Sequence, residues 1–233
     1  MIPKNKRVLV FTGVSDIGIA TDDPQNFEKI YDLTLPSKQR YVKKHGYDLM
    51  SMRSFPSDKH NKFKNPDIGF LRAMLAFDML EYYDVVMWLD ADSIITNDNY
   101  SITDLSVDDT NVFYASYDWP SKMSFSTGNF IVQNTENTEI FKKTFYHICN
   151  NFQHEQDTFN MLYRSTPLQN IMKILDHKYL GAIPGIELYP YPVWATRMVP
   201  AWPWTEDAFI CHLTGLPNTA RDTILKTHFT KYL

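Results

Sequence analysis

The sequence predicts an α/β protein with one mixed, mainly parallel sheet flanked by helices. Three observations carry that expectation. Short uninterrupted apolar runs, such as residues 8–11 and Val85–Leu89, have the length and continuity of strands buried on both faces. Stretches of helical periodicity separate them, so strand and helix alternate in the order that favours right-handed crossovers. The chain has 233 residues, 44% hydrophobic and 21% charged, which suits one sizeable globular domain.

The elements follow in order. Residues 8–11, closed by Thr12 and Gly13, read as a buried parallel strand ending in a tight turn. Asp22, Asp23 and Pro24 supply helix-start chemistry, and residues 27–44 read as a helix that Pro36 should break or kink. Gly46 fits the helix stop, and Tyr47, Asp48, Leu49 and Met50 a second strand. Residues 54–66, polar and carrying Lys59, Lys62 and Lys64, read as an exposed loop. Ile68, Leu71, Leu75 and Met79 recur at helical spacing ahead of the third strand at residues 85–89. Beyond it, residues 112–115 and 129–132 read as strands, and 138–151 and 155–163 as helices. Residues 181–204, crowded with proline and tryptophan, read mostly as loop, and no internal repeat is visible.

Composition narrows the function. The chain carries 23 Lys and Arg against 27 Asp and Glu, a net charge of −4, whereas a duplex nucleic-acid binder needs a basic surface. The two cysteines, Cys149 and Cys211, fit a reducing compartment better than a disulfide scaffold. No apolar run approaches the roughly 18 residues of a membrane helix, and no signal peptide is recognisable, so a soluble, cytoplasmic chain is expected. Aromatic residues are abundant, and most are expected to fill a large core.

Four clusters carry candidate chemistry. The strand at 85–89 runs straight into Asp90, Ala91 and Asp92. Two carboxylates at that spacing repel unless a cation lies between them, and Mg²⁺ or Mn²⁺ accepts carboxylate oxygens while keeping positions for phosphate. Ligands of open α/β sheets bind outside the carboxyl ends of the strands. Turn or cap aspartates are the bland alternative. A second apolar strand ends in His212, and a strand end near the sheet's carboxyl edge would bring this imidazole to the same cation; Gly215 would let backbone amides approach a phosphate. Ser126, Thr127, Gly128 and Asn129 lead into a strand, and Glu155, Gln156, Asp157 and Thr158 open a helix. Both could be capping chemistry, or could present hydroxyl-binding groups to a polyol.

Taken in this order, the motifs resemble those of GT-A-fold nucleotide-sugar glycosyltransferases. Within that group the chain is most similar to the galactosyl, xylosyl and mannosyl transferases of glycosyltransferase family 34. The resembling features are Thr12-Gly13, the Tyr41 to Tyr47 stretch with His45-Gly46, Trp88-Leu89-Asp90-Ala91-Asp92, Ser126-Thr127-Gly128-Asn129-Phe130, Glu155-Gln156-Asp157 and His212-Leu213-Thr214-Gly215. They span about residues 6–216. Anchor-free versions are similar to enzymes encoded by large algal viruses.

The resemblance implies a GT-A fold, a Rossmann-like mixed sheet within a single domain over 1–233. The nucleotide would be bound by about residues 1–95 and the sugar and acceptor by about 96–233. It implies a metal-dependent transfer from a nucleoside-diphosphate sugar, with UDP the expected carrier, to a hydroxyl of a glycan acceptor. Asp92, His212 and Asp90 would hold Mn²⁺ or Mg²⁺, with Asp90 also near the ribose. Thr12, Gly13, Val14 and Ala91 would line the nucleotide pocket, and Arg72 would reach nucleotide or phosphate. Gly128, Asn129, Gln156 and Asp157 would surround the sugar, and Gly215 would sit against the diphosphate. The family is retaining; an inverting reaction would need a base, for which Asp157 is the candidate. Two departures stand out. Pro217 occupies the place of a family lysine that supports the leaving diphosphate, so Arg221 or Lys226 would have to substitute, and the acidic cluster is ordered Glu-Gln-Asp rather than Asp-Asp-Gln.

Three rivals compete. A haloacid-dehalogenase-type phosphatase would use Asp90 as nucleophile and Asp92 as acid/base, but normally carries this motif near its N-terminus. A nucleotidyltransferase would need a basic glycine-rich loop after the first strand. A non-catalytic sugar-binding module would have no reason to keep Asp90, Asp92 and His212 together.

Overall fold

The computed structural model describes residues 6–14, 24–54, 68–106, 108–118, 124–152, 154–185 and 203–233. Its main sheet has six strands: β1 (Val8–Gly13), β2 (Asp48–Met52), β3 (Val85–Leu89), β5 (Phe113–Tyr117), β6 (Phe125–Gln133) and β7 (Met172–Leu175). They lie in the order β2-β1-β3-β6-β5-β7. Only β6 runs against the others. The remaining strands, β4 (Ser93–Ile95) and β8 (Ile210–His212), form a separate antiparallel pair.

The helices are α1 (Pro24–His45), α2 (Ile68–Met79), α3 (Ile102–Leu105), α4 (Thr138–Ile148), α5 (Glu155–Ser165), α6 (His177–Leu180) and α7 (Asn218–His228). They cover both faces of the sheet, which is why β1 and β3 are apolar at consecutive positions. On one face Leu9, Phe11, Val86 and Trp88 join the phenylalanines of α2, α4, α5 and β5. Phe113 and Phe159 stack there at 4.4 Å. Val8, Val10, Val85, Met87 and Leu89 point to the other face and meet Tyr41 of α1 and Phe209. Each buried phenylalanine contributes on the order of 2–3 kcal/mol, so the aromatic excess is mostly core. Edge strand β2 is only half-buried.

The structure changes three expectations. Pro36 does not end α1, which is continuous from Pro24 to His45. Polar contacts on both sides of the proline hold it to the turn after β3: Thr34 donates to the Ala91 carbonyl at 2.5 Å, and Ser37 Oγ accepts from the Ile95 amide at 3.2 Å. Such tertiary packing overrides the local penalty of a helical proline. Thr12 and Gly13 belong to β1 itself, because they continue its pairing with β2 and Thr12 also pairs with Leu89 of β3. Third, the strand ending in His212 lies outside the main sheet and pairs with β4. The helix stop at Gly46 is as expected: its φ of 69° is the left-handed conformation glycine adopts without strain. All but the first residue of the loop expected at 54–66, and most of 181–204, lie outside the described residues. Among the described residues, no helix is long and apolar enough to cross a membrane.

Candidate metal and donor site

Asp90 follows the last residue of β3, and Asp92 immediately precedes β4. The tight turn between them is closed by Ser93 N donating to the Asp90 carbonyl at 3.1 Å. The β4–β8 pair places Ser93 opposite His212, and Leu213 N donates to the Asp92 carbonyl at 3.1 Å. Two segments about 120 residues apart in the chain are thus locked side by side. Asn129 pins the turn from β6: its Oδ1 accepts from Asp90 N at 3.2 Å and Ser93 Oγ at 2.7 Å, while Nδ2 donates to Leu180 O at 2.9 Å.

One ligand atom from each of Asp90, Asp92 and His212 lies within 4.8 Å of the others. His212 Nε2 is 3.3 Å from Asp92 Oδ1 and 3.6 Å from Asp90 Oδ2. Cis ligands of an octahedral ion at about 2.1 Å stand about 3 Å apart, so small adjustments would seat a cation here. The other oxygen of each carboxylate belongs to an arginine. Arg72 Nη1 pairs with Asp90 Oδ1, which also accepts from Trp88 Nε1 at 2.7 Å. Arg221 Nη2 lies 3.0 Å from Asp92 Oδ2. The arginines orient both acids and leave their second oxygens converging on the imidazole. Gly128 keeps the space clear, because a Cβ there would meet His212 Cε1 at 2.2 Å and Asp90 Oδ2 at 2.8 Å. The donor set, its spacing and this glycine all fit a hard divalent cation with one imidazole ligand.

The electrostatics show what such an ion would replace. Burial works against a charged imidazole, but Asp92 and then Asp90 outweigh it and push the pKa of His212 up to about 9. Burial likewise opposes ionised Asp92, yet His212 and Arg221 hold its carboxyl well below the usual range. The two carboxylates and their surroundings thus favour a positive charge at this point of the fold.

The remaining predicted residues lie at different removes from this centre. Thr12 sits beside it at the end of β1, followed by Gly13. Val14 N donates to Met52 O at 2.9 Å, and Val14 and Ala91 pack on Tyr31. Arg72 reaches past Asp90 to pair through Nη2 with Glu155 at the start of α5. Glu155 also accepts from Thr127 Oγ1 at 2.7 Å. Gln156 accepts from Thr127 N at 3.3 Å and donates to Asp118 Oδ2 at 2.9 Å. Asp157 is exposed, and among the described residues no hydrogen bond or ion pair ties it to the cluster. Gly215 has a φ of 70° in the turn between β8 and α7, with open space where a side chain would stand. Of the two cations considered in place of the family lysine, Arg221 is at the site, whereas Lys226 pairs with Asp222 on the surface.

Glu155 was flagged only as part of the cluster that opens a helix, and sequence reasoning missed Lys38. Lys38 is fully buried on α1 and donates from Nζ to Asp90 O at 2.9 Å, Thr12 Oγ1 at 3.1 Å and Thr34 Oγ1 at 3.4 Å. Burial lowers its pKa to about 7 against the pull of Asp92 and Asp90. A signal was present: Tyr31, Thr34, Lys38 and Tyr41 share one helical stripe, and a lysine on a core-facing stripe is rare.

The fold is that of the GT-A glycosyltransferases, as the solved structures it resembles make clear. A glycosyltransferase involved in glycosylation of the major capsid of PBCV-1 matches with a TM-score of 0.61, 18% identity, and coverage of 94% of this chain and 98% of that one. The galactosyltransferase LgtC, solved with donor and acceptor sugar analogues, matches with a TM-score of 0.52, 12% identity, and coverage of 97% and 100%. Mouse xyloside xylosyltransferase 1 gives 0.50, 12%, 90% and 98%. Residues 4–114 match the model of the galactosyl transferase GMA12/MNN10 family. The shared fold and the match over residues 4–114 both agree with the resemblance drawn from the motifs. No curated protein sequence matches the chain significantly.

Proposed function

We propose that this protein is a metal-dependent glycosyltransferase that moves a sugar from a nucleoside-diphosphate donor, a UDP-sugar, to a hydroxyl of a glycan acceptor. The observation that carries the reading is the convergence of Asp90, Asp92 and His212 within 4.8 Å from two distant parts of the chain. A divalent ion held there, Mn²⁺ or Mg²⁺, would offset the negative charge that develops on the leaving diphosphate.

The chain's own residues do the rest. Thr12, Gly13, Val14 and Ala91 border the space for the nucleoside beside the end of β1. Gly128 makes room for His212 and Asp90 beside the sugar, and Gly215 admits the diphosphate close to the backbone. Arg221, already beside Asp92, adds a fixed positive charge next to the diphosphate. The bonds of Arg72 and Asn129 keep the two aspartates aimed, so little reorganisation is needed as charge builds. Gln156, held by Thr127 and Asp118, faces the sugar from α5. Exposed Asp157 is left for the acceptor side, and a retaining reaction needs no base from it.

The test is nucleotide release from a panel of UDP- and GDP-sugars, with and without Mn²⁺. The expected result is turnover of a UDP-sugar that stops on chelation. Equal turnover or binding of all donors without metal would remove the basis of the proposal.

A further inference from the structure

Among the described residues, Lys38 is a buried group near the site whose contacts the proposed chemistry does not explain. Three oxygens accept from its ammonium, and none is a carboxylate: the carbonyl of Asp90 and the hydroxyls of Thr12 and Thr34. The face of Tyr31 lies 5.7 Å away. Thr34 in turn donates to the Ala91 carbonyl at 2.5 Å. Side chains one turn apart on α1 therefore hold consecutive carbonyls of the turn that carries both aspartates. Through Thr12, the same lysine ties that turn to the end of β1. Packing alone does not require this: methionine would fill the same space without taking a charge out of water.

Building on the metal-site reading above, we propose that Lys38 is a positioning residue. It fixes the backbone of Asp90 and Ala91, and so the aim of the Asp90 and Asp92 carboxylates toward the ion, and it registers that turn against the nucleotide-facing end of β1. Lys38 touches neither ion nor donor; it acts through the Asp90 carbonyl and Thr12. Groups that orient metal ligands from behind typically account for about 10–100-fold in metal affinity.

The experiment is Mn²⁺ titration of the metal-free protein by electron paramagnetic resonance, with thermal unfolding recorded alongside. In Lys38→Met, Mn²⁺ binding weakens at least about tenfold in the folded protein. The sign is informative, because removing a nearby positive charge without loss of aim would strengthen binding of a cation. Tighter or unchanged Mn²⁺ binding overturns the proposal, even if the variant melts at a lower temperature, since that pattern belongs to a purely structural lysine. Should Lys38→Met fail to fold, Thr34→Val removes two of the contacts without changing any charge. It should weaken Mn²⁺ binding about threefold if the clamp matters, and unchanged binding in it overturns the proposal. Wild-type protein that binds no Mn²⁺ would defeat the metal-site reading itself and this inference with it; wild-type binding matched by both variants defeats only the role of Lys38.

Discussion

The turn after β3 and the start of α5 face the same space but are built differently. At the turn, Asp90, Asp92, His212 and Asn129 each have two or more partners, and Asp92 and His212 are buried. At the start of α5, Glu155 is buried and paired, Gln156 is half-buried, and Asp157 is in solvent. The first region is aimed before any ligand arrives. The second becomes progressively open along three consecutive residues. Under the proposed function, the bonded region is where charge must be stabilised and the open one is where substrates are exchanged.

Substitutions should divide along the same line. The largest effect is expected for Asp92→Ala, which should lower metal-dependent donor turnover by at least about 10³-fold while far-ultraviolet circular dichroism stays unchanged. Near-normal activity would move the centre elsewhere. Next comes Gly128→Ala, whose added methyl falls on His212 and Asp90. Calorimetric titration should show Mn²⁺ affinity reduced by roughly 100-fold or more. On the open side, Gln156→Ala should cost about 10–100-fold in kcat with donor KM little changed. Asp157→Asn should be the mildest, within about threefold, in a retaining reaction; a loss of about 10²-fold or more would instead identify it as a base.

Acidity gives a separate test of the tight region. The metal-free protein holds His212 protonated up to about pH 9, above the ordinary imidazole value of 6.5. That contribution, on the order of 3 kcal/mol, is complete below about pH 6.5 and is lost as pH rises through 9. An ion needs the neutral imidazole, so Mn²⁺ affinity should change the other way, rising about tenfold per pH unit up to about 9. Denaturant melts and Mn²⁺ titrations between pH 6 and 9 should therefore slope in opposite directions.

Much of this arrangement was legible in the amino-acid order. The apolar run at residues 85–89 followed by two aspartates gave both β3 and the place of the acids, because a strand buried on both faces leaves an unambiguous pattern. His212 was read beside Asp92 but on the wrong sheet: a three-residue strand carries no pairing information, and only β4 reveals its partner. Pro36 misled because local propensity says nothing of the buried contacts made by Thr34 and Ser37. Asn129 was expected beside the sugar but has both ends of its amide engaged in supporting the turn. Lys38 escaped notice, and Glu155 was named without its pairing to Arg72, because a charged residue in a sequence looks like surface until its partners, far along the chain, are placed around it.

In the proposed function, one divalent ion would bridge Asp90, Asp92 and His212 and hold the donor by its diphosphate. A crystal structure with Mn²⁺ and UDP tests it most directly. The prediction is anomalous density about 2.1–2.3 Å from one oxygen of each aspartate and from His212 Nε2, with phosphate oxygens completing the shell. Manganese bound elsewhere, or UDP seated with His212 still hydrogen-bonded to Asp92 and no ion between them, would contradict it.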